Sequence, residues 1–388
     1  MTTVHQPAAS HQGPAHPQGL AGKVAPLIHE IRHNPLMWLL VFVPALLAAR
    51  ALRPEAHTLL FVLSVLAIVP LAALLSRATE SVAARTGDSI GGLLNATLGN
   101  LTELLIALAA LRAGQYVLVK ASIAGAIITN ALFMLGAALL IGGLKHHVQD
   151  YNRDGARLHA GLLFLATVAI LVPSALAEAD GAGSTRFTHT LSLSLSVLLI
   201  VTYALGLLFS LKTHRELFAG QSHTDADETE WPLGLALATL AGVTVLVALV
   251  SELFVESVQQ ASKTLGLSPA FVGFIVVALV GGAAEMVSAL SAARKNRLDL
   301  SVGIALGSAV QIALFVAPVL VFFSYLFGRP MDLEFTLPEV VAVIVAVHLI
   351  FQISGDGETN WLEGVQLLSV YLILGILFFY LPERAHAG

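Results

Sequence analysis

The length of its apolar runs constrains this chain more than any other feature. A helix that crosses the ~30 Å hydrocarbon core of a bilayer needs about 20 mostly apolar residues. Eleven stretches qualify, near residues 36–52, 57–77, 89–111, 116–143, 158–177, 187–211, 232–256, 270–293, 301–327, 336–353 and 360–381. Only helices and closed barrels satisfy every backbone polar group within lipid, and runs of this length suit helices. The expected fold class is an all-α integral membrane protein with eleven transmembrane helices. Charged residues make up 12% of the 388 positions, about half the share found in soluble domains. The absence of Cys excludes disulfides, thiolate metal sites and cysteine nucleophiles. No basic patch suggests nucleic acid as a partner.

Residues 1–35 read as a flexible tail rich in Gln, His, Pro and Ala. The tail lacks the charged, apolar and cleavage regions of a signal peptide, so insertion falls to an extra first membrane helix, 36–56. Two five-helix blocks follow, 57–211 and 232–388. Between them lies an acidic linker, 212–231, whose Asp225 to Glu230 run reads as a solvated loop. With the N-terminus inside, 12 of the 20 Lys and Arg fall on the inner side. The positive-inside rule then places the N-terminus in the cytoplasm. Short connections and an Ala-, Gly- and Leu-rich composition point to a bacterial cytoplasmic membrane.

The two blocks repeat each other. At an offset of 182 residues, Gly99 meets Gly281, Glu103 meets Glu285, Arg112 meets Arg294 and Gly125 meets Gly307. Ala131-Leu132-Phe133 likewise meets Ala313-Leu314-Phe315, without a gap. Of the 35 pairs from residue 99 to 133, 11 are identical. The eighth helix follows the third by five crossings, an odd number, so the copies enter the membrane from opposite sides. The expected plan is two inverted-topology five-helix repeats with the first helix left over.

A charged side chain near the bilayer centre costs about 2.5–3.5 kcal/mol on insertion scales. Glu103 and Glu285 occupy matching places there, each about one turn beyond a helix-loosening pair, Gly99-Asn100 and Gly281-Gly282. Glycine in a helix interior costs ~1 kcal/mol relative to Ala, and broken helices are tolerated in lipid only where they are buried or line a cavity. The following helices bring Thr129 and Asn130, and Ser308 and Gln311, beside the breaks. Two carboxylates, neutral oxygens and loosened backbone suit a hard divalent cation such as calcium. The lack of Cys and near-lack of mid-membrane His argue against zinc or copper. Left empty, the two carboxylates repel each other. One divalent cation or protons can neutralise them, and mutually exclusive occupancy is the minimal basis for exchange. The plainer alternative is that each Glu pairs with a Lys or Arg, for which Lys120 and Arg294 are candidates.

Three further acids, Glu80, Glu252 and Glu256, sit near helix ends and read either as a cation funnel at a cavity mouth or as wet helix termini. His29 to His33 spell the H-E-x-x-H zinc-protease pattern, but they lie in the tail with no evident third ligand. Asn95-Ala-Thr is a glycosylation sequon without meaning inside a membrane helix.

The stretches Gly91 to Leu108, Gly125 to Phe133, Gly281 to Ala289 and Ala293 to Pro318 resemble the calcium/proton exchangers of the cation/calcium antiporter superfamily. The resemblance covers nearly the whole chain after the tail. It implies that Glu103 and Glu285 bind Ca2+ in exchange for protons, with Asn100, Thr129, Asn130, Ser308 and Gln311 as flanking polar positions. Two positions depart from the family pattern: Gly282 stands where Asn is usual, and Met286 where His is usual.

The function expected is secondary antiport of cytoplasmic Ca2+ against protons by alternating access, with no enzymatic activity and no resident cofactor. Its partners are Ca2+, protons and the lipid bilayer, with homo-oligomerisation left open. Alternatives are exchange of Na+, K+ or Mn2+ by the same fold, a cation channel, or a protease built on the tail histidines.

Overall fold

A computed structural model describes residues 20–180, 185–215 and 231–381. Helices answer to each apolar stretch. They are α1 (Pro35–Leu52), α2 (His57–Thr86), α3 (Ile90–Arg112), α4 (Tyr116–His146), α5 (Arg153–Asp180), α6 (Arg186–Thr213) and α7 (Leu233–Leu265). Then come α8, made of Pro269–Gly281 and Ala283–Arg294, α9 (Leu298–Leu326), α10 (Leu337–Ile353) and α11 (Trp361–Tyr380). Among the described residues nine helices are long and apolar enough to cross a membrane, and α8 makes ten if its two pieces, bent by 59°, count as one span. The remaining helix, α10, has 17 residues.

Three boundaries differ from the sequence expectation. Residues 20–33 are helical rather than tail, because Leu27 and Ile31 recur at one-turn spacing and pack on the core. The helices α2 and α7 run on to Thr86 and Leu265, through polar turns that no hydropathy window includes. Residues 1–19 and the Asp225 to Glu230 run lie outside the described residues.

The core is built across the two blocks rather than within each. Buried Leu71, Leu75 and Ala78 of α2 face Val247, Val250 and Phe254 of α7 in the most extensive helix pairing, and the Phe61 and Phe254 rings stack at 5.5 Å. Lipid gives apolar side chains no reason to prefer one another, so membrane helices associate through close packing of small residues. The first half of α4 shows this against α8. A Cβ on Gly125 would stand 2.2 Å from the Phe274 carbonyl oxygen, and one on Gly273 would stand 2.8 Å from that of Leu118. Further along α4, Gly136 lies under α11, where its Cβ would meet Leu367 at 2.9 Å.

Polar bonds gather at the two ends of the helices. At one end, the Lys145 ammonium donates to the Arg294 carbonyl at 2.9 Å. There β1 (Val148–Asp150) pairs antiparallel with β2 (Glu358–Asn360), and the buried Gln149 amide donates to the Ala293 carbonyl and Asn296 Oδ1. At the other end, Arg50 pairs with Glu256 at 2.9 Å, Arg112 with Glu252 at 3.2 Å and Lys120 with Asp332 at 2.5 Å. Here residues 328–336 form an extended strap. Met331, Leu333 and Phe335 are buried, and their N–H groups donate to the hydroxyls of Ser324, Ser192 and Ser174, one each from α9, α6 and α5.

Candidate ion-binding site

Both expected helix breaks exist. α3 is interrupted at Gly99-Asn100 between Asp88–Leu98 and Leu101–Arg112, and α8 at Gly282. Glu103 and Glu285 are each the third residue of the helix that follows. The first turn of a helix carries partial positive charge from its unpaired N–H groups, which favours a carboxylate there. Two π-helical turns, Thr129–Met134 and Ile312–Val316, lie in α4 and α9 at equivalent places in the repeat. Such turns re-aim backbone carbonyls and recur at functional sites.

The glycines at the breaks make room for polar side chains from the opposite block. A Cβ on Gly281 would stand 2.8 Å from Glu103 Cγ, so only glycine fits beneath that carboxylate. Gln311 lies on Gly99, with Oε1 3.4 Å from its Cβ position, and Asn130 lies on Gly282, with Oδ1 at 3.3 Å. Asn130 Nδ2 donates to Ser308 Oγ at 2.8 Å, and that hydroxyl donates to Asn100 Oδ1 at 2.8 Å. These contacts bring Glu103, Asn100, Asn130, Ser308 and Gln311 to the two breaks. Thr129 is placed differently: its hydroxyl shares a hydrogen bond with Tyr371 of α11 at 3.3 Å. Sequence reasoning missed Tyr371, a hydroxyl-bearing residue within the apolar helix α11.

Glu103 is 8% exposed. Glu285 is half-buried, but its Oε2 is fully enclosed and accepts no hydrogen bond. Asn100 Nδ2 and Gln311 Nε2 are likewise enclosed without an acceptor. Among the described residues neither carboxylate pairs with a Lys or Arg. Lys120 is held by Asp332 instead, and among the described residues no ion pair joins Arg294 to either carboxylate. This corrects the ion-pair alternative. Leaving a buried polar group unpaired costs about 1–3 kcal/mol, more for a charge.

A cavity of about 380 Å3 runs beside the site at the Arg294 end. Its wall includes Ala284, Val287 and Ser288 of the Glu285 helix, together with Glu80 and Arg77 of α2. Toward the Lys120 end, a void of about 10 Å3 lies beside Glu103. Glu252 and Glu256 lie at that second end in exposed ion pairs and do not line the cavity, which corrects their place in a cation funnel. Nor is the cavity wall purely acidic, since Lys295 and Arg297 also line it. His29 and His33 stack on each other at 4.0 Å, and Glu30 between them faces Arg77 at 3.9 Å. Among the described residues no group of three His, Asp or Glu gathers to hold a metal.

Comparison with known proteins adds family information. The family described as sodium/calcium exchanger protein matches residues 56–212 and again 235–380. A Ca2+/H+ antiporter of Aphanothece halophytica is 42% identical over 364 residues, covering 90% of this chain and 97% of the relative. The Ca2+/H+ antiporter ChaA of Bacillus subtilis is 42% identical over 327 residues, 83% of this chain and 92% of its own. The structure of native YfkE superposes with a TM-score of 0.78 at 38% identity, covering 89% of this chain and all of that one. A crystal structure of the H+/Ca2+ exchanger CAX shares the fold, with a TM-score of 0.68 at 16% identity over 89% of this chain and 91% of that one.

Proposed function

This chain belongs to the sodium/calcium exchanger family, and on that premise we propose that it exchanges cytoplasmic Ca2+ for protons at one shared site. The protein is a membrane transporter, not an enzyme. The ions are cargo, and the family requires no resident cofactor. One observation carries the reading: Glu103, buried, and Glu285, half-buried with Oε2 enclosed, stand at two helix breaks without a basic partner among the described residues. Calcium would be held by these carboxylates with neutral oxygens from Asn130 and Ser308, the other flanking positions turning toward it. Protons take its place when it leaves. The relatives named Ca2+/H+ antiporters support both ions.

Two inverted repeats of five crossings each, after an extra first helix, account for the two family matches, 56–212 and 235–380, and for the way polar bonds sort into two ends. The 380 Å3 cavity that reaches the Glu285 helix from one end supports access to the site from that side. The N-terminus and the cavity would then face the cytoplasm, in keeping with the positive-inside count. An empty site carried across would short-circuit the exchange, and burying two bare carboxylates costs several kcal/mol per ion, which opposes that transit.

Ca2+ uptake into inverted vesicles driven by an imposed pH gradient tests the assignment. The double variant Glu103→Gln, Glu285→Gln is expected to insert normally and carry no Ca2+, and full uptake by it would sink the reading. Gly282 and Met286 favour a second measurement. Competition by Mn2+, Na+ and K+ in the same vesicles decides whether the loss of an amide and an imidazole has changed the preferred cation.

A further inference from the structure

Two tyrosines stand at matching places beside the site. Phe133 and Phe315 are one pair of the 182-residue repeat, and each lies in a π-helical turn, Thr129–Met134 of α4 and Ile312–Val316 of α9. The ring of Tyr371 in α11 packs on Phe133 with centroids 5.0 Å apart, and the ring of Tyr203 in α6 packs on Phe315 at 5.5 Å. Each half of the chain thus lays a tyrosine of its last helix on the π-helical turn of the other. Both are buried, Tyr371 at 4% exposure and Tyr203 at 8%. A buried phenol hydroxyl needs a partner, and both find theirs in the first half of the chain. Tyr203 donates to the Ala96 carbonyl at 2.5 Å. In an unbroken α3 that carbonyl would receive the N–H of Asn100, but the helix stops at Gly99, whose own N–H goes to Asn95. Tyr371 shares its hydrogen bond with Thr129. The next residue is Asn130, whose side chain meets Ser308 at 2.8 Å.

We propose that Tyr203 and Tyr371 are positioning residues that brace the ion site, Tyr203 by holding the Gly99 break open ahead of Glu103, and Tyr371 by fixing the start of the turn that presents Asn130. This rests on the exchange reading above and deepens it. A break between two half-helices closes when its freed carbonyl recovers an N–H, so a donor from another helix keeps it open. A π-helical turn departs from the regular ladder, so its rotation also needs an outside anchor. The helices that carry the tyrosines are firm supports. α11 lies backbone to backbone on α4, where a Cβ on Gly364 would stand 2.4 Å from the Leu140 nitrogen. Its Phe378 ring stacks on Phe274 of α8 at 3.8 Å. α6 is tied to α9 by Tyr325, whose hydroxyl donates to the His189 carbonyl at 3.1 Å, and to the strap through Ser192. Packing alone does not ask for the two hydroxyls, since Phe would fill the same space.

The test removes the hydroxyls and keeps the rings. Ca2+ binding is measured on purified protein for Tyr203→Phe, Tyr371→Phe and a control, Tyr151→Phe. The control loses a bond of the same kind, to the Ile353 carbonyl at 2.6 Å, at the β1–β2 end of the molecule. Each site variant should weaken Ca2+ binding by about two- to tenfold in Kd, the net worth of one hydrogen bond, and the control should leave Kd unchanged. An unchanged Kd in either site variant overturns the role of that tyrosine, and an equal loss in the control overturns both. Thr129→Val should weaken binding as Tyr371→Phe does, and the pair should weaken it no further, because coupled neighbours are non-additive. Additive losses would overturn the Tyr371 brace. Wild-type protein that neither binds nor transports Ca2+ would overturn the exchange reading instead. Hydrogen exchange of the cation-free protein then decides the braces alone. Amides of residues 99–104 should exchange faster in Tyr203→Phe and those of 129–134 faster in Tyr371→Phe, with neither altered in the control, and unaltered rates in the site variants would overturn the proposal.

Discussion

At Gly125 one methyl group is enough to push two helices apart. Its Cβ would meet the Phe274 carbonyl oxygen at 2.2 Å and Cα at 2.5 Å, backbone atoms that cannot swing aside. Gly125→Ala is expected to cost about 1–3 kcal/mol as overpacking, read as a lower Tm with the carboxylates untouched. Gly242→Ala on α7 has nothing within 4 Å and should leave Tm unchanged or raise it, since Ala is the better helix former by ~1 kcal/mol. Residues of this kind divide what sequence can reveal. Glu103, Glu285, Gly99 and Gly281 stand out because charge and glycine are rare and costly in an apolar helix, and the repeat marks them twice. The turn of Thr129 toward Tyr371 and the bonds of Ser308 to Asn130 and Asn100 depend on partners 242, 178 and 208 residues away. No local pattern encodes those meetings.

Among the elements, the strap at 328–336 departs most from what hydropathy suggests. It is an irregular connection whose alternate residues are as buried as a core strand, and its pairing partners are three hydroxyls from three helices. Sequence reading passes over it because neither its period nor its length suits a span, and it passes over the last turns of α2 and α7 because those turns are polar on one face. The outer face of the strap holds Asp332 and Glu334 against Lys120. Burial, and then the neighbouring Asp332 charge, push the Glu334 carboxyl above its ordinary range, with Lys120 opposing. A carboxyl raised in this way adds stability below its unfolded pKa and loses it as pH rises through the folded one. Hydrogen exchange at residues 331–335, corrected for intrinsic rates, should therefore quicken as pH climbs from the ordinary glutamate range upward. Glu334→Gln should flatten that dependence, and an unchanged slope in the variant would show that another group sets it.

For the molecule as a whole, the membrane class, the order of the helices and the pairing of the two breaks were legible from apolar run length and the 182-residue offset. The end from which the cavity reaches the Glu285 helix was not, because that depends on how side chains far apart in sequence pack together. The chain has no cysteine, so single cysteines report sidedness without background. Ser288→Cys, in the cavity wall, should react with a membrane-impermeant maleimide from the cytoplasmic side alone, and Arg329→Cys from the opposite side alone. Labelling of both from one side would contradict the path of the chain described above. The cross-block packing has a consequence of its own. Because α2 rests on α7, α4 on α8 and α11, and β1 on β2, much of the core is shared between the two halves of the chain. In this respect the chain resembles a heterodimer whose two subunits are translated as one polypeptide. The covalent link between α6 and α7 supplies their equal stoichiometry and leaves the shape of the site to the interface.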